Sequence, residues 1–131
     1  MNIQKKLRVF LIEDAVKIRV MLIEILQQTG QIEVVGFAEG ETDALLQLRS
    51  KEWDVAIVDL GLREGTGFGV LTGLKKDKKT YGKLFMFSGN DSGALRDRCV
   101  ALGAEGFFDK SRDIDALVSQ LQAMQLQSSM H

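Results

Sequence analysis

The chain is nearly devoid of histidine and cysteine and contains no proline at all. Its one cysteine, Cys99, excludes an internal disulfide framework and a cysteine-based metal cage, so we expect a reducing, cytoplasmic environment. Its one histidine, His131, is the last residue, which excludes a folded Ser-His-Asp or Cys-His arrangement and a zinc site of the usual kind. These counts exclude most histidine-dependent enzymes. Cys99 is interpreted as a small packed apolar residue rather than a nucleophile.

An excess of one charge and long apolar runs are also missing. Seventeen basic and 18 acidic residues leave a net charge of -1, which gives no general attraction to nucleic acid or to an anionic membrane. The first apolar block, residues 7–12, is too short for a signal peptide, and no block approaches the length of a membrane span. We expect one domain over residues 1–131, with its core over about 7–124 and a polar tail over 125–131.

Short apolar blocks alternate with amphipathic blocks along the chain. Most apolar blocks lack polar alternation, which is typical of parallel strands covered on both faces, and the amphipathic blocks have helical spacing. The predicted strands are residues 7–12, 32–38, 54–60, 83–88 and 106–109. The predicted helices cover about residues 15–28, 41–50, 67–76, 91–102 and 113–124. Five such repeats predict an α/β fold, a doubly wound five-stranded parallel sheet, (βα)5, with helices on both faces.

Polar side chains stand at or directly after the ends of four predicted strands. Glu13 and Asp14 come at the end of the first strand, Asp59 at the end of the third, Ser88 at the end of the fourth and Lys110 at the end of the last. Each alone is weak evidence, because a carboxylate after a strand is often only a helix cap and a lysine is usually solvated surface. The carboxyl ends of parallel strands meet at one edge of a doubly wound sheet. We therefore expect three carboxylates, a hydroxyl and an ammonium to converge on one small pocket.

This set of groups favours phosphoryl-transfer chemistry. Three crowded acids raise one another's pKa unless a cation compensates, and hard oxygen ligands with room for water suit Mg²⁺ better than zinc or copper. A carboxylate can serve as the nucleophile, while a metal ion, an ammonium and a hydroxyl stabilise the phosphate oxygens.

Four motifs at these positions resemble the receiver domain of two-component response regulators. They are "LIED" (11–14), "VAIVDLGL" (55–62), "FMFSGND" (85–91) and "ALGAEGFFDKS" (101–111). Their order and spacing agree with the family over nearly the whole chain. The resemblance implies a flavodoxin-like fold with strand order 2-1-3-4-5, and a signalling module rather than an enzyme with a separate substrate.

The resemblance also implies roles for particular residues. Asp59 matches the aspartate that accepts a phosphoryl group from a phosphohistidine. Ser88 and Lys110 match the hydroxyl and the ammonium that contact this group. The Mg²⁺ ligands are implied to be the carboxylates of Glu13, Asp14 and Asp59 and the backbone carbonyl of Gly61. The switch and tuning positions are implied to be Phe107, whose ring turns inward on activation, and Asn90, whose carboxamide can orient the water that hydrolyses the phosphoryl group.

The implied partners are proteins. A sensor histidine kinase or a phosphotransfer protein would donate the phosphoryl group, and a downstream protein or a fused output domain would read the changed face of the last helices. Homodimerisation through these helices is consistent with the family, whereas direct contact with nucleic acid or membrane is not expected. No output segment follows the fifth predicted helix, so the sequence fits either a stand-alone regulator or an excised receiver domain.

Three departures from the family pattern carry expectations of their own. Arg63 stands where proline is common, so we expect a mobile, glycine-rich loop after Asp59. Ser111 replaces the usual proline after Lys110, which predicts a trans bond, or a cis bond held by the phosphate site. Gly61 places no side chain beside the phosphoryl group, which predicts a short-lived phosphorylated state.

Three other interpretations stay open at this stage. A Mg²⁺-dependent hydrolase with an aspartyl nucleophile fits the acids, but residues 60–62 supply no second acid and the chain has no room for a cap. A flavin or nucleotide module fits the fold, but "GTGFG" (65–69) is neither GxGxxG nor a P-loop. A receiver that has lost phosphorylation is the third, although every chemical position holds a competent residue.

Overall fold

The computed structural model describes residues 5–89 and 92–129. These residues form five strands and five helices in strict alternation. The strands are β1 (Leu7–Ile12), β2 (Ile32–Ala38), β3 (Val55–Val58), β4 (Lys83–Ser88) and β5 (Gly106–Asp109). The helices are α1 (Val16–Gln28), α2 (Glu41–Ser50), α3 (Gly67–Lys75), α4 (Gly93–Ala101) and α5 (Ile114–Ser129).

All five strands pair in parallel, in the order β2-β1-β3-β4-β5. The predicted α/β class and the strand order implied by the family resemblance are therefore confirmed. The order reverses beside β1, so the carboxyl ends of β1 and β3 lie next to each other at the switch point of the sheet, where such folds place their sites.

Alternate side chains of the strands pack into two separate apolar layers, one on each face of the sheet. In β1, Phe10 and Ile12 join a cluster with residues of α2, α3 and α4, whereas Val9 and Leu11 join a cluster with residues of α1 and α5. Both layers need apolar partners, which is why this strand shows no polar alternation in the sequence. Burial of each large side chain in these layers contributes about 1.5–3 kcal/mol.

The C-terminal helix is longer than predicted. α5 continues to Ser129, whereas the sequence predicted a helix over about 113–124 followed by a polar tail. Gln125 is buried, its Nε2 donates to the backbone oxygen of Lys5 at 3.0 Å, and its Oε1 accepts from Gln31 Nε2 at 3.2 Å. A polar composition indicated exposure here, but these hydrogen bonds make a buried amide stable. No helix within residues 5–89 and 92–129 has the length and apolar character that crossing a bilayer requires.

The third strand is shorter than predicted, four residues instead of the seven expected over 54–60. Its ladder nevertheless continues at both ends, because Asp54 N donates to Arg8 O at 2.9 Å and Asp59 N donates to Ile12 O at 3.0 Å. Asp59 is therefore held to the end of β1 by the sheet's own hydrogen bonds.

Candidate functional site

The carboxyl ends of β1, β3 and β5 bring the predicted ammonium and two predicted acids into direct contact. Lys110 Nζ lies 2.6 Å from Glu13 Oε1 and 2.8 Å from Asp59 Oδ2. The backbone fixes this meeting, since Asp59 N is bonded to Ile12 O and Lys110 N is bonded to Ser88 O, each at 3.0 Å. One lysine thus bridges two carboxylates from different strands.

A third acid completes a cluster of oxygen ligands. Glu13, Asp14 and Asp59 each offer a carboxylate oxygen, and these three oxygens lie within 4.8 Å of one another. Burial and the neighbouring Asp59 carboxylate raise the pKa of Glu13 to about 7, although the Lys110 ammonium opposes the shift. Burial lowers the pKa of Lys110, but hydrogen bonds to Asp59 and Glu13 outweigh it and raise the pKa above its usual value.

The donor set fits a hard divalent cation. Glu13 is only 3% exposed, and its Oε2 finds no hydrogen-bond partner among the residues the structure describes. Buried polar atoms are almost always satisfied, so an unpaired carboxylate oxygen within an acidic cluster is suited to bind a cation. Oxygen ligands of this kind match the preference of Mg²⁺.

The loop after Asp59, which the sequence predicts to be mobile, is closed by hydrogen bonds. Gly61 forms an isolated antiparallel bridge with Thr66, and Gly67 N donates to Leu60 O at 2.9 Å. A Cβ added at Gly61 would meet nothing within 4 Å, so this position is open beside the cluster. The loop thus carries the predicted carbonyl ligand in a hydrogen-bonded turn.

The predicted hydroxyl and switch positions lie on the neighbouring strands. Ser88 ends β4, is 4% exposed and pairs in register with Asp109 of β5. Phe107 is 8% exposed, and the guanidinium of Arg96 lies 4.9 Å from its ring centroid. The aromatic ring is therefore already buried in this structure. Asn90, the predicted tuning residue, lies outside the described residues.

In the loop after β5, Ser111 stands where the family commonly has proline, and the Asp109 carboxylate binds this serine. The Lys110–Ser111 bond is trans, one of the two outcomes the sequence predicted. Asp109 Oδ1 accepts from Ser111 N at 2.8 Å and from Ser111 Oγ at 2.6 Å, and these bonds lower the pKa of Asp109. Asp109 was not among the predicted site residues, although an acid two residues before a serine in a turn was a usable signal.

A second missed residue is Arg19 on α1. Its Nη1 donates to the backbone oxygen of Glu13 at 2.8 Å and lies 3.5 Å from Glu39 Oε2. Its guanidinium also lies 4.0 Å from the ring centroid of Phe37. Arg19 shares a face with the buried Leu22 three positions later, so a cation at a core position was the available signal. This arginine supports the backbone that carries the first two acids.

Five parallel strands in this order, with an acidic cluster at their carboxyl edge, define the flavodoxin-like class of α/β proteins. Within this class the match is specific, because the family described as "Response regulator receiver domain" matches residues 9–122. The chain belongs to this family. It is thus a receiver domain of the two-component response regulators, a signalling module.

Several curated proteins are similar to the chain. A protein-glutamate methylesterase/protein-glutamine glutaminase of Methanospirillum hungatei is 29% identical over 109 residues, covering 82% of this chain and 32% of that protein. The DNA-binding transcriptional activator DevR/DosR of Mycobacterium tuberculosis is 28% identical over 103 residues, covering 79% and 47%. The chain spans between 32% and 56% of the length of the first curated relatives it matches.

Solved structures share the same architecture. The response regulator domain of Thermotoga maritima CheB has a TM-score of 0.79 at 21% identity, covering 97% of this chain and 98% of that one. The receiver domain of a Francisella response regulator has a TM-score of 0.83 at 20% identity, covering 94% and 99%. At these identities the likeness shows the fold.

Proposed function

We propose that the chain is a phosphoacceptor receiver of a two-component or phosphorelay system. In this proposal Asp59 takes a phosphoryl group from a phosphohistidine of a sensor histidine kinase or a phosphotransfer protein, in the cytoplasm. The observation that carries it is the contact of one ammonium, Lys110, with two strand-end carboxylates, Glu13 and Asp59. Such a cluster is costly to bury and has a use where a negatively charged group must be received.

Three side chains, those of Asp59, Lys110 and Ser88, have different roles in the proposed phosphoryl transfer. A carboxylate oxygen of Asp59 attacks phosphorus, the P–O bond forms, and the P–N bond to the donor imidazole breaks with its electron pair left on nitrogen. Lys110 neutralises a phosphoryl oxygen as charge gathers there. The Ser88 hydroxyl donates a hydrogen bond to another oxygen, from a strand end already tied to Lys110 N.

Mg²⁺ fits the site as its cofactor. Glu13, Asp14 and Asp59 would hold it through carboxylates, and Gly61 would hold it through its backbone carbonyl. When bound, the ion supplies positive charge that neutralises phosphate oxygens. The protein's own part is to keep these acids within 4.8 Å of one another before the ion arrives, which the strand ladder and Arg19 do.

The output is proposed to be a changed binding face on the last two helices and the last strand. Phe107 lies on β5, and the guanidinium of Arg96 on α4 lies against its ring. A shift of the ring would therefore change a contact of α4. α4 exposes Val100 (61%) and α5 exposes Leu126 (52%), and a downstream protein, a fused output domain or a second copy that binds this face would cover these side chains.

The test is the intact mass of the protein after incubation with Mg²⁺ and acetyl phosphate. We expect a gain of one phosphoryl group that requires Mg²⁺ and is absent from Asp59→Ala. The matched control is Glu52→Ala, which removes an exposed carboxylate at the opposite end of β3 and should react like the parent. No gain in a parent that binds Mg²⁺ would refute the proposal, and continuous turnover of a phosphomonoester would favour the hydrolase instead.

A further inference from the structure

The loop after Asp59 and the start of α2 are joined by two glutamates, one from each segment, and each accepts hydrogen bonds from the other segment. From the loop, Glu64 Oε1 accepts from Thr42 N at 2.9 Å and Glu64 Oε2 accepts from Thr42 Oγ1 at 3.1 Å. From the helix, Glu41 Oε1 accepts from Thr66 N at 3.0 Å. Glu41 N also donates to Glu64 O at 2.8 Å. We call Glu41 and Glu64 the carboxylate latch.

The latch supplies the end of α2 with a cap that its own sequence lacks. The residue at the N-cap position is Gly40, which has no side chain to accept from the first free N–H groups of the helix. The Glu64 carboxylate accepts from one of them and places negative charge at the positive end of the helix. The stability of the loop and the stability of this helix end are therefore linked.

Two glycines make room for the other half of the latch. Gly65 adopts φ +73°, and a Cβ there or at Gly69 would overlap the side chain of Glu41. Gly65 in the loop and Gly69 in the first turn of α3 thus do more than permit motion, because they let the partly buried Glu41 of α2 lie against this backbone.

The latch acts on the residue that pairs with the predicted carbonyl ligand. Thr66, whose N–H is bound by Glu41, forms the backbone bridge to Gly61, two residues after Asp59. We propose that Glu41 and Glu64 are positioning residues that hold the Gly61 carbonyl in its place at the acidic cluster. This inference rests on the proposed function. The loop lacks proline, and the latch supplies from α2 the restraint that proline would otherwise give.

The latch carboxylates are not themselves members of the cluster. Within the described part of the chain, the acids close enough to share an ion are Glu13, Asp14 and Asp59. Glu41 and Glu64 each accept hydrogen bonds from backbone N–H groups of the other segment. Their effect on Mg²⁺ binding therefore passes through the loop.

The test compares Glu64→Ala and Glu41→Ala with Asp43→Ala. Asp43 is the matched control, because it also carries a negative charge in the first turn of α2, and its carboxylate accepts from Gln47 Nε2 of the same helix. The readouts are Mg²⁺ affinity by calorimetry, amide hydrogen exchange of residues 60–67 in metal-free protein, and the Mg²⁺ dependence of phosphorylation by acetyl phosphate.

We expect each latch variant to bind Mg²⁺ on the order of fivefold more weakly, as the loss of one or two hydrogen bonds implies. The half-saturating Mg²⁺ concentration should rise by the same factor, while the rate at saturating Mg²⁺ stays near that of the parent. Exchange of residues 60–67 should accelerate. Glu41→Gln and Glu64→Gln, which keep the accepting oxygen, should restore most of the affinity, a rescue that general destabilisation would not produce.

Three results would overturn the inference. The latch variants could match Asp43→Ala in affinity and exchange, the maximal rate could fall while half-saturation stays constant, or the glutamine variants could behave like the alanine variants. A failure of the proposed function looks different, since the parent itself would then take up no phosphoryl group, while Mg²⁺ affinity and hydrogen exchange would still decide the role of the latch.

Discussion

Replacement of Arg19 by methionine tests whether this buried cation stabilises the backbone beneath the acidic cluster. Arg19 is 9% exposed and donates to Glu13 O at 2.8 Å. A hydrogen bond from a charged group contributes about 1.5–3 kcal/mol, and stacking on Phe37 adds about 0.5–1 kcal/mol. The pair with the one-third-exposed Glu39 adds little. Methionine fills much of the arginine volume, and burial of its apolar side chain offsets part of the lost hydrogen-bond and stacking free energy. We therefore expect the free energy of unfolding to fall by about 2 kcal/mol.

The assay is urea denaturation followed by far-UV circular dichroism. The midpoint should fall without a change in slope, since the surface exposed on unfolding stays similar. Lys17→Met, an exposed position on the same helix, is the control and should stay within about 0.5 kcal/mol of the parent. A double-mutant cycle with Phe37→Leu isolates the stacking energy.

A stabilising or neutral Arg19→Met would refute this reasoning. Replacement of a buried charge by an apolar side chain is sometimes favourable, because the desolvation penalty disappears. That result would mean that desolvation of the guanidinium outweighs its contacts with Glu13, Glu39 and Phe37.

Three further predictions concern other parts of the chain. Burial raises the pKa of Asp54, but hydrogen bonds from the Arg8 side chain and backbone together lower the pKa by more than burial raises it. The pKa of Asp54 is therefore depressed in the folded state. This contribution to stability is present above the unfolded-state pKa of about 3.9 and is lost as the pH falls through the lower folded-state pKa. The urea midpoints of Asp54→Ala and the parent should therefore converge in acid, and a difference between the midpoints that stays constant with pH would contradict this prediction. The Lys110–Ser111 bond is trans, and Ser111→Pro removes the N–H that donates to Asp109 Oδ1, so its thermal midpoint should fall below that of Ser111→Ala. A higher midpoint would argue that this hydrogen bond does not stabilise the loop. Gly61→Met should lengthen the lifetime of the phosphorylated state, followed by intact mass over time, because its side chain enters open space beside the cluster; an unchanged lifetime would argue that water does not enter there.

The sequence predicted the sheet and the convergence of the acids because both follow from local patterns. Apolar runs without alternation identify parallel strands, and a polar residue at each run's end lies at the same edge once the strands are parallel. The contact of Lys110 with Glu13 and Asp59 is of this kind. Helix and strand bounds came out within a few residues, except at the end of α5.

The supports of the site could not be predicted in the same way. The latch joins Glu64 to Thr42, and Gln125 contacts Lys5, so each contact depends on folded geometry and not on spacing. Exposed or polar character was the only local property of these residues, and it indicated solvated surface. Arg19 differs, because a cation at a core position of a periodic helix was visible in the sequence.

The charges around the latch affect how fast a phosphodonor encounters the site. Glu39, Asp43 and Glu64 line one cavity with Arg63. Arg19, which also donates to the Glu13 backbone oxygen, pairs with Glu39, so three acids stand against two cations here. A small anionic phosphodonor approaches against this field, whereas a protein donor with a basic surface is drawn toward it. Added salt screens such forces beyond about 8–10 Å. Rising ionic strength should therefore speed the reaction with acetyl phosphate and slow the reaction with a basic protein donor, which gives the receiver a preference among donors before any contact forms.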